Sequence, residues 1–127
     1  MDKRLVLGLG LAFAGLAMPV EARAAWGAIA AGIDEYGNGA ARVSVGSALG
    51  HATEQSARNA ALAKCREGGV KNCRIQSTFT GCGYVTVSRQ GSRPVAWGMG
   101  PTSQSAYDNC YSRIREGNCE QPIGGCN

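Results

Sequence analysis

The chain has one histidine, His51, no Cys-x-x-Cys pair and no Gly-x-Ser-x-Gly motif. Zinc sites draw on closely spaced nitrogen and sulfur ligands, so a metal site is not expected. The missing serine elbow removes the commonest hydrolase signature, and no cofactor motif takes its place. Aromatic residues supply only 6% of the chain, which limits it to a modest core. The apolar run from Leu5 to Met18 has 14 residues, short of the roughly 20 that a membrane-spanning helix needs. Charge is nearly balanced, at 13 Lys+Arg against 9 Asp+Glu. That is far from a nucleic-acid-binding composition, so no nucleic-acid partner is expected.

What the chain does hold is six cysteines, Cys65, Cys73, Cys82, Cys110, Cys119 and Cys126. All of them lie downstream of a segment that reads as an export signal. Lys3 and Arg4 give the positive start, the apolar run follows, and Ala22-Arg23-Ala24 offers a small-x-small cleavage site. Residues 1–24 are therefore expected to be a signal peptide, cut between Ala24 and Ala25. Residues 25–127 are expected to form one domain with no stable membrane anchor. An even set of cysteines in a short exported chain reads as three disulfides. A periplasmic or secreted location follows from the same argument. Removing Lys3, Arg4 and Arg23 together with Asp2 and Glu21 leaves ten cations against seven carboxylates. This mild excess permits an anionic partner without demanding one.

The chain also resembles itself. Thr53-Glu54-Gln55-Ser56-Ala57 aligns with Thr102-Ser103-Gln104-Ser105-Ala106 at an offset of 49, and Arg66-Glu67-Gly68 aligns with Arg115-Glu116-Gly117 at the same offset. Asn72-Cys73 and Asn118-Cys119 follow. Each copy reads as two strands, a helix and a further strand. In the first, Trp26 to Ala31 and Arg42 to Ser47 are the strands, with Gly37-Asn38-Gly39 turning the chain between them. A helix from about Glu54 to Glu67 is capped by Thr53 and stopped by Gly68-Gly69. Cys73 to Thr80 is the next strand, with Ile75 and Phe79 expected on one side. In the second copy the strands are Gly83 to Ser88 and Val95 to Met99, joined through Gln90-Gly91-Ser92. A helix follows from the Thr102 cap to about Glu116, and then a truncated final strand. Ala57, Ala61 and Cys65 recur at helical spacing, as do Ala106, Cys110 and Ile114. Such small-residue stripes let a helix lie close to a sheet. The expected fold is α+β: a duplicated β-β-α-β unit, an antiparallel-rich sheet with both helices on one face, and three disulfides.

Several of these residues, taken in order, carry a family resemblance. They are Trp26-Gly27-Ala28-Ile29-Ala30, Cys65 with Cys73, Gly81-Cys82-Gly83, Gly98-Met99-Gly100-Pro101-Thr102, and Cys126-Asn127. Across nearly all of residues 26–127 the chain resembles the domain-of-unknown-function 4189 family. The resemblance implies a small exported bacterial protein with an α+β domain and no assigned activity, so no catalytic residue carries over. It also implies the pairs Cys65–Cys73 and Cys82–Cys126, which leaves Cys110 and Cys119 for each other. That third pair is additional to the four-cysteine pattern of the family.

The remaining candidates are weighed on their own chemistry. His51 would need Asp34 or Glu35 beside it to act as a general base; otherwise it reads as an exposed loop histidine. Asp34-Glu35 otherwise reads as a solvated loop pair. Gly98-Met99-Gly100-Pro101-Thr102 lacks the third glycine of a dinucleotide site and the lysine of a P-loop, so it reads as a turn and helix cap. Trp26 and Trp97 read as core. Lys64, Arg66, Lys71 and Arg74 gather around the end of the first helix, with Arg113 and Arg115 at the second. Cations at helix C-termini offset the dipole, and together they also make a candidate binding surface for a protein or an anionic envelope ligand. The expectation is an exported, non-catalytic binding protein, inhibitor-like or immunity-like, acting on a periplasmic or secreted effector. The alternative is a secreted effector that engages host or rival-cell targets through the basic helix ends. A small hydrolase built on His51 is the remaining reading.

Overall fold

The computed structural model describes residues 25–37, 39–89, 96–115 and 117–127. The expected signal peptide, Asn38 of the first turn, the Gln90-Gly91-Ser92 turn, Val95 and Glu116 lie outside the described residues. The elements are β1 (Trp26–Glu35), β2 (Ala41–His51), α1 (Glu54–Glu67), β3 (Cys73–Phe79), β4 (Cys82–Ser88), β5 (Ala96–Gly100), α2 (Ser103–Tyr111) and β6 (Ile123–Cys126). The fold is α+β, and the duplication is plain in its topology. The first sheet has the order β2-β1-β3 and the second β5-β4-β6, both antiparallel. The strand that opens each unit is thus the central one, and the strand that closes it pairs on its free side.

One feature departs from expectation. The strands form two three-stranded sheets, each with its own helix, rather than one sheet carrying both helices on one face. The reason lies in the strands. Ala28 and Ala30 on one face of β1, and Ile29 and Ala31 on the other, are all buried. A single sheet with helices on one side would leave Ile29 and Ala31 in water. In the structure α1 packs on β1, β2 and β3, α2 packs on β4 and β5, and the sheets contact each other through β1 and β2 on one side and β4, β5 and β6 on the other. Val43, Val85 and Val87 are covered in this way, each at most 3% exposed.

Helix α1 keeps its expected bounds. The Thr53 hydroxyl accepts from Ser56 N at 3.1 Å, and Gly68 N donates back to Cys65 O at 3.1 Å. Ala57, Ala61 and Cys65 are fully buried against Ala28, Ala30 and Ala48. Small side chains bring the helix so close that a methyl group at Gly46 would collide with the backbone of Ala61 and Cys65. Gly98 sits in the same way under Ala106 and Cys110 of α2.

Four local expectations are corrected. Asp34 and Glu35 end β1, opposite Arg42 and Ala41, instead of lying in a loop. His51 ends β2 and pairs with Trp26. In β3 a bulge opposite Ile29 and Ala30 inserts one residue, so Ile75 faces α1 with Ala30 while Phe79 turns to the other side with Gly27. Helix α2 stops at Tyr111 rather than near Glu116. There Ser112 N donates to Asp108 O, Arg113 N to Cys110 O, and the Ser112 hydroxyl to Asn109 O. Cys110 therefore occupies the last turn, the place Cys65 has in α1. The three disulfides are Cys65–Cys73, Cys82–Cys126 and Cys110–Cys119.

Candidate functional site: a basic pole

Each unit has one short loop closed by a disulfide between its helix and the segment that follows. These loops, Cys65–Cys73 and Cys110–Cys119, span 8 and 9 residues. Arg66 and Lys71 lie in the first, Arg113 and Arg115 in the second, and all four are exposed.

The strand registers place both loops at one end of the molecule. Helix α1 starts beside the Trp26–His51 pair and ends where Cys65 joins Cys73, which faces Gly32. Helix α2 starts after the Tyr84–Gly100 pair. Its closing loop reaches the far end of β4, where Glu120 N donates to Val87 O at 2.9 Å. Strands β4 and β1 run alongside in the same sense. A side chain at either Gly27 or Gly83 would meet the Phe79 ring, which joins their beginnings. Arg89 Nη1 donates to Val43 O at 3.0 Å, which joins their ends. Both helix C-termini thus point to one pole.

The charge is correspondingly lopsided. Of the nine described cations, only Arg58 lies away from this pole, and there it pairs with Glu54 at 3.3 Å. Four of the six described carboxylates (Asp34, Glu35, Glu67 and Glu120) share the pole. Glu120 is occupied by Arg89 at 3.2 Å. Asp34 accepts from the backbone amides of Lys71 at 2.7 Å and Asn72 at 3.1 Å, which clamps the first loop. Among the described residues, Lys64, Arg66, Lys71, Arg74, Arg113 and Arg115 make no ion pair. Arg42 makes none either; its guanidinium lies over Gly69, a glycine at φ +90°. Sequence reasoning missed Arg42 because it opens a strand. Its clue was the placement of Asp34 and Arg42 on either side of the Gly37 turn. Arg66 and Lys71 border a hollow of about 420 Å³ over Gly69 and Val70. Arg113 stacks over Trp97 with its guanidinium carbon 5.7 Å from the ring centroid, a cation–π contact that fixes its direction. Trp97 is thus half-buried and serves the surface as well as the core.

The cations outweigh the dipole that they flank. A helix end presents only about half a unit of negative charge, whereas each closed loop carries two cations against one carboxylate, Glu67 or Glu116, and Arg42, Lys64 and Arg74 add to them. Offsetting the dipole does not account for the whole set.

The other candidates disperse. Trp26 packs against the α1 core. His51 Nδ1 lies 2.7 Å from Ser56 Oγ at the start of α1. Asp34 is eight residues away along β1 from the residue that faces His51, or about 26 Å at the usual strand rise. The general-base arrangement with Asp34 or Glu35 is not assembled. Gly98 and Gly100 press against α2, and Thr102 forms a capping box with Ser105. Among the described residues no group of three or more His, Cys, Asp or Glu could hold a metal ion, and no helix is long and apolar enough to cross a membrane.

No curated protein and no solved structure matches the chain significantly. A family profile does, over residues 26–126. It takes in both units, both helices and all six cysteines, so the chain belongs to the family described as Domain of unknown function (DUF4189).

Proposed function

We propose that this chain is an exported, non-catalytic binding protein of inhibitor or immunity-like type, whose basic pole receives an acidic periplasmic or secreted partner. One observation carries the reading: cations from two different units, with no ion pair among the described residues, converge on one end, on loops that disulfides hold closed. A preformed surface loses little conformational entropy on association. Its charge would steer an acidic partner toward it. Export rests on the signal-like residues 1–24 and on three disulfides that suit an oxidising compartment.

The test is affinity capture by the oxidised protein from periplasmic and medium fractions, followed by charge reversal. Arg113→Glu with Arg115→Glu should weaken the captured complex roughly tenfold or more and flatten its salt dependence. Ala52→Glu, at the opposite end, should leave it intact. Equal loss from both variants, or no loss from the first, overturns the basic pole as the docking face. A partner found only in medium, on host or rival cells, would replace the immunity-like reading with that of a secreted effector.

A further inference from the structure

The three disulfides differ in access. Cys65 and Cys110 are fully buried, and Cys73 and Cys119 are 8% and 7% exposed. Cys126 is exposed and Cys82 half-buried. Cys82 also borders a hollow of about 240 Å³, open between the sheets, with Ile29, Phe79, Met99 and Pro101 around it. Exchange requires a thiolate to reach a sulfur, so access separates labile bridges from inert ones.

What Cys82–Cys126 holds in place is slight. Strand β6 pairs Ile123, Gly124, Gly125 and Cys126 with Val85, Tyr84, Gly83 and Cys82. Two of its four residues have no side chain, and Ile123 is 46% exposed. Little apolar surface is buried by this strand. Asn127 adds exposed hydrogen bonds, from its backbone N to Gly81 O at 2.9 Å, from its side chain to Phe79 O at 3.2 Å, and to its side chain from Gly50 N at 2.7 Å. Exposed hydrogen bonds exchange readily for bonds to water and hold a strand weakly.

We propose that Cys82–Cys126 is a thiol-exchange site, opened by a small thiol or a dithiol oxidoreductase while the two buried bridges stay closed, and that its opening releases β6 from β4. A thiolate bonds to Cys126 Sγ, the S–S bond breaks, and Cys82 leaves as a thiolate that takes up a proton. A second thiol then attacks the mixed disulfide. Its products are one external disulfide and the free Cys126 thiol, so two electrons pass from two thiols to the bridge. The register Cys82–Val85 of β4 is then a free sheet edge. This site is independent of the basic pole, which lies at the other end of β4.

The purified oxidised protein is exposed to stepwise higher reduced glutathione, or in a second arm to a reduced Cys-x-x-Cys oxidoreductase. Thiols are then alkylated and mapped by mass spectrometry. Cys82 and Cys126 should be labelled together before any other cysteine, and amide exchange in β6 and along β4 should speed up roughly tenfold or more. A response in one arm alone identifies the class of reductant. Labelling of Cys65, Cys73, Cys110 or Cys119 at the same or lower thiol overturns the proposal, as does resistance of all six in both arms. In Cys82→Ser with Cys126→Ser, held by the other two bridges, the early labelling step should vanish and the β6 amides should exchange fast from the start. Wild-type protection of β6 in that variant would equally overturn it.

Discussion

Glu54 joins helix α1 to strand β3 through a single carboxylate oxygen. Its Oε2 accepts from the Thr78 hydroxyl at 2.8 Å and from Arg58 Nη2 at 3.3 Å. The Thr78 bond, and then Arg58, hold its pKa below the usual 4.5. A carboxylate with a lowered folded pKa binds fewer protons folded than unfolded, so its contribution is present above the unfolded value and fades as pH falls through the folded one. Thr78→Val should therefore lower stability at pH 7, and its deficit against wild type should shrink steadily as the pH is taken below 4. Urea titrations at several pH values measure that gap. A gap that does not change with pH would mean that Thr78 acts through packing and not through the carboxylate. Residues such as Gly46 and Gly98 show the limit of reading at this scale. The sequence shows glycine ahead of each helix, but their function, clearing space for a helix backbone, exists only once the helix lies over the strand.

At the scale of elements, the legible parts were those with chemical punctuation. Thr53 and Gly68-Gly69 fix both ends of α1, and the Thr102 cap fixes the start of α2. The end of α2 was not legible, because the repeat pattern carries Arg115-Glu116-Gly117 into register with the end of α1 while the chain itself turns at Ser112. That early stop lets Cys110 reach Cys119, with 6.3 Å between their Cα atoms against 6.1 Å for Cys65 and Cys73. The β3 bulge was also invisible, since alternation alone keeps Ile75 and Phe79 on one face. The basic residues of the candidate site were legible singly, as cations near helix ends. Their convergence was not, because it depends on β4 lying along β1 in the same sense. If the Cys110–Cys119 loop is a true counterpart of the first, replacing both cysteines with alanine should cost about 2.5 kcal/mol by loop entropy, read as a lower guanidinium midpoint. The loss should also raise amide exchange around Arg113 and Arg115 while leaving Lys71 and Asn72 protected. A double variant as stable as the parent would make this bridge an ornament on an already rigid turn.

For the whole molecule, the question is whether two similar units make one cooperative body. Each has a helix, a sheet and a short disulfide loop, and each could pass for a small module. Their inner faces argue otherwise. Ile29 and Val43 in the first sheet, and Val85 and Val87 in the second, are buried where the sheets meet. The Phe79 ring stands at this junction, over Gly27 of one unit and Gly83 of the other. A unit that opened alone would expose the inner face of its neighbour, and each buried aliphatic side chain costs about 1.5–3 kcal/mol to expose. That exceeds what a three-stranded sheet with one helix has to spare. The chain places one tryptophan in each unit, Trp26 in β1 and Trp97 in β5, so the two can be watched separately. In Trp97→Phe and Trp26→Phe variants, the remaining fluorophore should report the same denaturant midpoint, once each is corrected for the cost of its own substitution. Phe79→Ala should lower both midpoints together, with a stability loss of about 3 kcal/mol if the ring behaves as other packed phenylalanines do. Separate transitions for Trp26 and Trp97 would instead mean that the units are stable alone, and that the pole they share is assembled by a docking step and not by folding.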